Sequence, residues 1–166
     1  MTLYKAIPKK QLFLVAMTLI LIFMLSACSA FTPRDPLERQ EFLDLMEEHG
    51  FEIVDYTNEL AGELEELVSL YLLAIAPSGS YQIEFIELHT IEGAQAVFAG
   101  TKQNADALRG SSSSHSSVGG PNHDTYRLTS AGLYSHLLRV DDIFVFVLGA
   151  DAEYRDEIRA KFDHMS

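Results

Sequence analysis

The chain has 166 residues, with 12 Lys and Arg against 24 Asp and Glu, and a formal net charge of −12. So acidic a surface argues against nucleic acid as a partner, because that binding runs on cationic contacts to phosphate. One cysteine rules out a disulfide within the chain.

The chain opens on a basic segment carrying Lys5, Lys9 and Lys10, followed by an uncharged run from Leu12 to Leu25 in which only Thr18 is polar. Those 14 residues suit the apolar region of a signal peptide. They fall short of the roughly 20 that a transmembrane helix needs. Leu25-Ser26-Ala27-Cys28 closes the run. This tetrapeptide resembles the lipobox of bacterial lipoprotein precursors. The resemblance implies cleavage between Ala27 and Cys28, a diacylglyceryl group on the Cys28 sulfur, and a domain held on the outer face of the cell membrane. Two acyl chains anchor stably where one holds only marginally. Acylation would also remove a lone reactive thiol from an exported domain. Two plainer readings stand beside it: Cys28 as an ordinary apolar residue of an uncleaved anchor, and cleavage at Ala27-x-Ser29 with release.

Residues 1–27 then form the signal peptide, 28–35 the lipidated cysteine and linker, and 36–166 a single extracytoplasmic domain. Removing 27 residues leaves 139, and with three lysines gone the mature charge is 9 − 24 = −15. Between Arg39 and Lys102 there are 13 acids and no Lys or Arg. Such a field attracts basic proteins or cations, and it also serves plain solubility.

Asp35-Pro36-Leu37-Glu38 predicts a helix start, with Asp35 as cap, Pro36 at the first helical position and Glu38 at capping-box spacing. Phe42, Leu45, Met46 and His49 fall on one face, and Gly50 stops the helix with Phe51 packed past the end. Glu52–Thr57 reads as a short strand and Asn58–Glu66 as a short acidic helix with Glu59, Glu63 and Glu66 along one side. Val68–Ala76 is nearly continuous apolar sequence, as in a central strand. Pro77-Ser78-Gly79-Ser80 is a turn, and Tyr81–His89 alternates as its hairpin partner. Thr90 caps a helix whose apolar stripe is Ala94, Val97, Phe98, Thr101, Ala105 and Leu108. Residues 110–123, which begin GSSSSHSSVGGPN, read as a flexible Ser/Gly-rich loop. Three strands follow, Asp124–Thr129, Leu133–Val140 and Ile143–Leu148. Asp151 then caps a last helix with Tyr154, Ile158, Phe162 and Met165 as its stripe.

The order predicts an α+β fold: an antiparallel sheet of about five or six strands covered by helices. Residues 52–108 and 124–165 also read as a strand-strand-strand-helix unit used twice. The whole chain is similar to small single-domain lipoproteins of Gram-positive bacteria, in its lipobox and in the stretches YQIEFIEL and FVFVLGADAEYRDEIRAKF. That likeness implies no functional residue beyond Cys28.

Catalytic chemistry finds little support. Ser111–Ser114, His115, His123 and Asp124 bring the triad residue types close in sequence, but a triad needs rigid geometry and no G-x-S-x-G is present. His115, His123 and Asp124 suit a divalent metal by type, although their spacing matches no zinc motif. Glu59, Glu63 and Glu66 lack the D-x-D-x-D-G loop of calcium sites. Arg127 and Arg139, near Tyr126 and His136, are expected to pair with carboxylates across the sheet. Tyr71, Tyr81, Phe85, Tyr126, Tyr134, Phe144 and Phe146 are expected at half-buried strand positions. The sequence thus points to a non-enzymatic, lipid-anchored binding domain without a cofactor. It would engage an envelope protein or ligand through the sheet face or residues 110–123. A metal-dependent sensor using His115, His123 and Asp124 is the alternative, and an envelope hydrolase the third reading.

Overall fold

The computed structural model describes residues 32–149 together with Ala160 and Phe162. The chain divides into two units, Met1–Thr32 and Pro33–Ser166, and the description concerns the second. Its elements are α1 (Arg39–Glu48), β1 (Glu52–Asp55), a 3₁₀ turn (Thr57–Glu59), α2 (Glu63–Leu67), β2 (Val68–Ile75), β3 (Tyr81–Leu88), α3 (Ile91–Ala107), β4 (Ser114–Gly119), β5 (His123–Ser130), β6 (Leu133–Val140) and β7 (Ile143–Gly149). The fold is α+β and mostly β. The cleavage site, Cys28, and Asp151, Tyr154, Ile158 and Met165 of the expected last helix lie outside the described residues. Among the described residues no helix is long and apolar enough to cross a membrane.

The strands form one sheet in the order β1-β2-β3-β7-β6-β5-β4. Every neighbouring pair is antiparallel. The sheet therefore has seven strands, not five or six, and the additional one is β4. It runs through the Ser/Gly-rich stretch expected to be a loop. Ser114–Gly119 pairs residue by residue with Asp124–Thr129 and is exposed along its whole length. A strand with no apolar side to bury is held by backbone hydrogen bonds to a neighbour already in place, a term that composition does not reveal.

Alternation sends successive side chains to opposite faces. Leu70, Leu72 and Ala74 of β2, Tyr81, Ile83 and Phe85 of β3, Leu138 and Val140 of β6, and Val145 and Val147 of β7 share one face. They pack against Phe42, Leu45 and Met46 of α1 and against the helical Phe162. The Phe42 ring stacks on Phe85 with centroids 4.8 Å apart. On the opposite face Leu88, Tyr126, Leu128, Leu137 and Phe144 pack under Ala94, Phe98 and Ala105 of α3. Both faces of β7 are thus covered, which is why it reads as a continuous apolar run.

Two boundaries differ from expectation. The cap of α1 is Glu38, not Asp35: Glu38 is extended and its side chain receives the N3 amide, while the Glu41 side chain accepts from the Glu38 amide. Pro33–Leu37 lies outside the helix, and Arg34 is tied elsewhere. Its amide donates to Asn122 Oδ1 (3.0 Å) and its carbonyl accepts from Asn122 Nδ2 (2.8 Å). The acidic helix expected over 58–66 is two pieces, Thr57–Glu59 and Glu63–Leu67, separated by Leu60-Ala61-Gly62. Its glutamates are exposed.

Candidate functional site

α3 begins at Thr90, whose hydroxyl accepts from the Gly93 amide at 3.0 Å. It begins beside the end of β3 and runs back across the sheet to finish at Leu108, beside the turn joining β5 to β6. That turn carries Ala131 at φ 51° and Gly132 at φ 83°. Two successive positive φ values define the hairpin turn whose twist matches the strands, and glycine supplies one of them without strain.

Two polar ties hold the end of α3 to the sheet. The Gly110 amide donates to Ser130 Oγ at 3.0 Å, and that hydroxyl reaches the Leu108 carbonyl at 3.4 Å. Further along, the buried Tyr126 hydroxyl donates to Asp106 and accepts from Arg109 Nη2 (3.1 Å). The Tyr126 bond holds the Asp106 carboxyl below its ordinary pKa, with Arg109 and Lys102 reinforcing the effect. Burial above all raises the tyrosine. Lys102 Nζ lies 5.4 Å from the Tyr126 ring centre.

Where helix and sheet diverge they leave a cavity of about 460 Å³. Its floor is Leu128, Ser135, Phe146 and Leu148, its wall is Thr101, Asn104, Ala105 and Leu108, and its end is Ser130, Ala131 and Leu133. Among the described residues none that lines it is charged. At the mouth stand Leu108, 79% exposed, and Leu133, 55% exposed. Large apolar side chains left in water at the rim of an apolar cavity mark a binding surface. Leu108 was expected in the buried stripe of α3. It is the C-cap residue, one position past the last helical residue, and its side chain stays in solvent.

One strand further, Glu84 lies opposite Phe146 on the same face. Burial raises the Glu84 pKa, against the Tyr71 hydroxyl that hydrogen-bonds the carboxylate. Burial, followed by the neighbouring Glu84, pushes Tyr71 up to about 12.

The three metal candidates are not brought together. His115 lies on exposed β4 opposite Leu128, whereas His123 lies on β5 opposite Val140. Leu128 is five residues along β5 from His123, about 17 Å at 3.3–3.4 Å per residue, and odd separation sends the two side chains to opposite faces. Asp124 is committed to Arg139. Arg139 Nε donates to its Oδ2 at 2.8 Å, with Nη2 at 2.7 Å. This is the cross-strand pairing expected of Arg139, since the two residues are register partners. Arg139 Nη1 also donates to the carbonyls of Asn122 (3.2 Å) and Asp141 (3.1 Å). Among the described residues no group of three or more His, Cys, Asp or Glu could hold a metal ion. Ser111–Ser114 lie at the other end of the β4–β5 hairpin from His123 and Asp124, so the Ser, His and Asp types do not converge either.

His123 is fully buried, and neither ring nitrogen has a hydrogen-bond partner. A Cβ at Gly120 would sit 2.0 Å from its Cε1, so only glycine fits over the ring. Burial, followed by the charge of Arg34, lowers the His123 pKa from 6.5. A histidine that titrates lower when folded gives full stability above the unfolded pKa. That stability is lost as pH falls below 6.5 toward the folded value. In urea titrations at pH 8 and pH 5.5, the native chain should lose up to about 1.4 kcal/mol more than His123→Leu, the linkage of one proton over one pH unit. Parallel losses in the two proteins would contradict this assignment.

Comparison with protein-family models, with curated proteins and with solved structures found no match to this chain. The functional reading therefore rests on its own residues.

Proposed function

We propose that this protein is a lipid-anchored extracytoplasmic binding domain, not an enzyme, that takes its ligand into the cavity between α3 and strands β5, β6 and β7. The observation that carries this reading is the uncharged cavity of about 460 Å³ with Leu108 and Leu133 exposed at its mouth. That volume falls in the range of about 300–1,000 Å³ usual for small-molecule sites. The anchor is supported by the sequence alone, through Leu25-Ser26-Ala27-Cys28. The same reading treats 52–108 and 124–165 as one duplicated unit. Its support is the strand order, in which β3 and β7, each the third strand of its unit, lie side by side and antiparallel.

Two variants test the two halves separately. Metabolic labelling with an alkyne fatty acid in a bacterial host should mark the native chain and leave Cys28→Ser unmarked. Equal labelling removes the anchor. Ser135→Phe should fill the cavity and weaken capture of an apolar photoreactive probe by about ten-fold, the loss of roughly 1.4 kcal/mol of burial. Its melting temperature should hold or rise, because filling a cavity is commonly stabilising by about 0.5–2 kcal/mol. Unchanged capture by a folded Ser135→Phe protein rejects the cavity as the site.

A further inference from the structure

The class of ligand can be narrowed, on the premise that the cavity is the binding site. We infer that the cavity accepts an apolar chain or ring system whose exposed head group is neutral or cationic, and that it discriminates against anionic amphiphiles such as fatty acids.

The lining is the first ground. Among the described residues Thr101, Asn104, Ser130 and Ser135 are its polar side chains, and none carries charge. A ligand carboxylate drawn inside would lose its water without gaining a cation, a cost of several kcal/mol. An anionic ligand must therefore leave its head group at the mouth.

The mouth is the second ground. It is formed by the carboxyl end of α3, a helix of 17 residues. The end of a helix carries the negative pole of its dipole, equivalent to about half a charge, which favours cations and disfavours anions within the last turn. Glu84 lies one strand beyond the Phe146 floor. Of the cationic or titratable side chains on that flank, one is neutralised by an ion pair and two lie against an aromatic ring. Arg109 is paired with Asp106 at 2.5 Å, Lys102 lies over the Tyr126 ring, and His115 stands beside the same ring with centroids 6.5 Å apart. Summed over the whole chain, these residues included, the net charge is −12. That long-range field disfavours an anionic head group at the mouth and not a neutral or cationic one.

The test uses the full-length protein in phosphatidylcholine vesicles and three diazirine-bearing dodecyl probes: the alcohol, the trimethylammonium and the carboxylate. Adducts are mapped by mass spectrometry, and specific capture is the part removed by excess unlabelled dodecanol, which requires no variant. Ser135→Phe in the same vesicles corrects for partition of each probe into lipid. The alcohol and the ammonium should label the peptides containing Leu108 and Leu133. Specific capture of the carboxylate should be about ten-fold lower at low salt. The gap should narrow as salt shortens the Debye length from about 30 Å at 0.01 M to about 10 Å at 0.1 M. Equal capture of all three probes overturns the charge discrimination and leaves the site standing. Capture of none at these peptides overturns the site itself. Concentration-dependent self-association that Leu133→Glu abolishes, without probe capture, identifies the mouth as a contact between copies and overturns both.

Discussion

Replacing Phe85 with alanine is expected to destabilise the domain by about 4 kcal/mol, within the usual 3–5 for a buried phenylalanine. Phe85 is fully buried in the middle of the sheet. Its register partners are Leu72 on one side and Val145 on the other, and the Phe42 ring stacks on it. Truncation therefore opens a hole bounded by two strands and a helix, and strands locked on both edges have little freedom to close it. For a domain of this size the melting temperature should fall by about 10–15 °C. Phe85→Leu keeps most of the volume and should lose less than half as much. The measurement is thermal unfolding of the three proteins side by side. A loss below about 1.5 kcal/mol for the alanine variant would mean that α1 is not seated on the sheet as described.

Arg139→Met should come next, at about 3 kcal/mol, the low end of the range for breaking a buried ion pair. The guanidinium is almost wholly buried, with 3% of the side chain exposed, whereas Asp124 retains 35% and can be rehydrated when left alone. That asymmetry keeps the penalty from being larger. Part of the loss comes from elsewhere: Nη1 satisfies the carbonyls of Asn122 and Asp141, and Asn122 in turn holds Arg34 and Asp141. A double-mutant cycle separates these contributions. Asp124→Asn alone should lose about 1 kcal/mol, and the double variant should lose less than the sum, because the carboxylate that Arg139→Met strands is then absent. Strict additivity would show that the pair is not energetically coupled.

Much of the sheet was legible in the sequence because burial writes itself into the pattern. Ile143–Gly149 is apolar on both sides since the α1 and α3 layers pack on its opposite faces, and Tyr81–Leu88 begins by alternating since its Gln82 and Glu84 lie beside the cavity rather than beneath the helix. Thr90 announces α3 through a hydroxyl that does cap it. What stayed hidden depends on distant partners. β4 exists because β5 presents an edge, and nothing in SHSSVG encodes that edge. Asp35 has the chemistry of a cap, but Asn122, 88 positions from Arg34, bonds the backbone of the preceding chain, and the cap falls at Glu38. The cavity was the least legible feature. Its walls come from α3, β5, β6 and β7, and each lining residue alone reads as ordinary core. Only Leu108 carried a signal, as an apolar residue at the limit of its helical stripe.

The strand order also has a consequence in time. β1, β2 and β3 are neighbours in sequence and in space, as are β4 to β7, so each half of the sheet closes through local connections, short turns everywhere but between β1 and β2, where the 3₁₀ turn and α2 intervene. The seam between the halves is β3 against β7, where Phe85 meets Val145 across 60 positions of chain. Contacts so far apart in sequence form slowly, because the loop entropy is lost before the pairing repays it. β7 is also the last of the described strands to be synthesised. Until residues 143–149 arrive, β3 and β6 each present a raw edge, the form of intermediate most open to pairing with other chains. The molecule's most exposed moment is therefore set by its final strand, and a chain shortened by a few tens of residues would remain in that state.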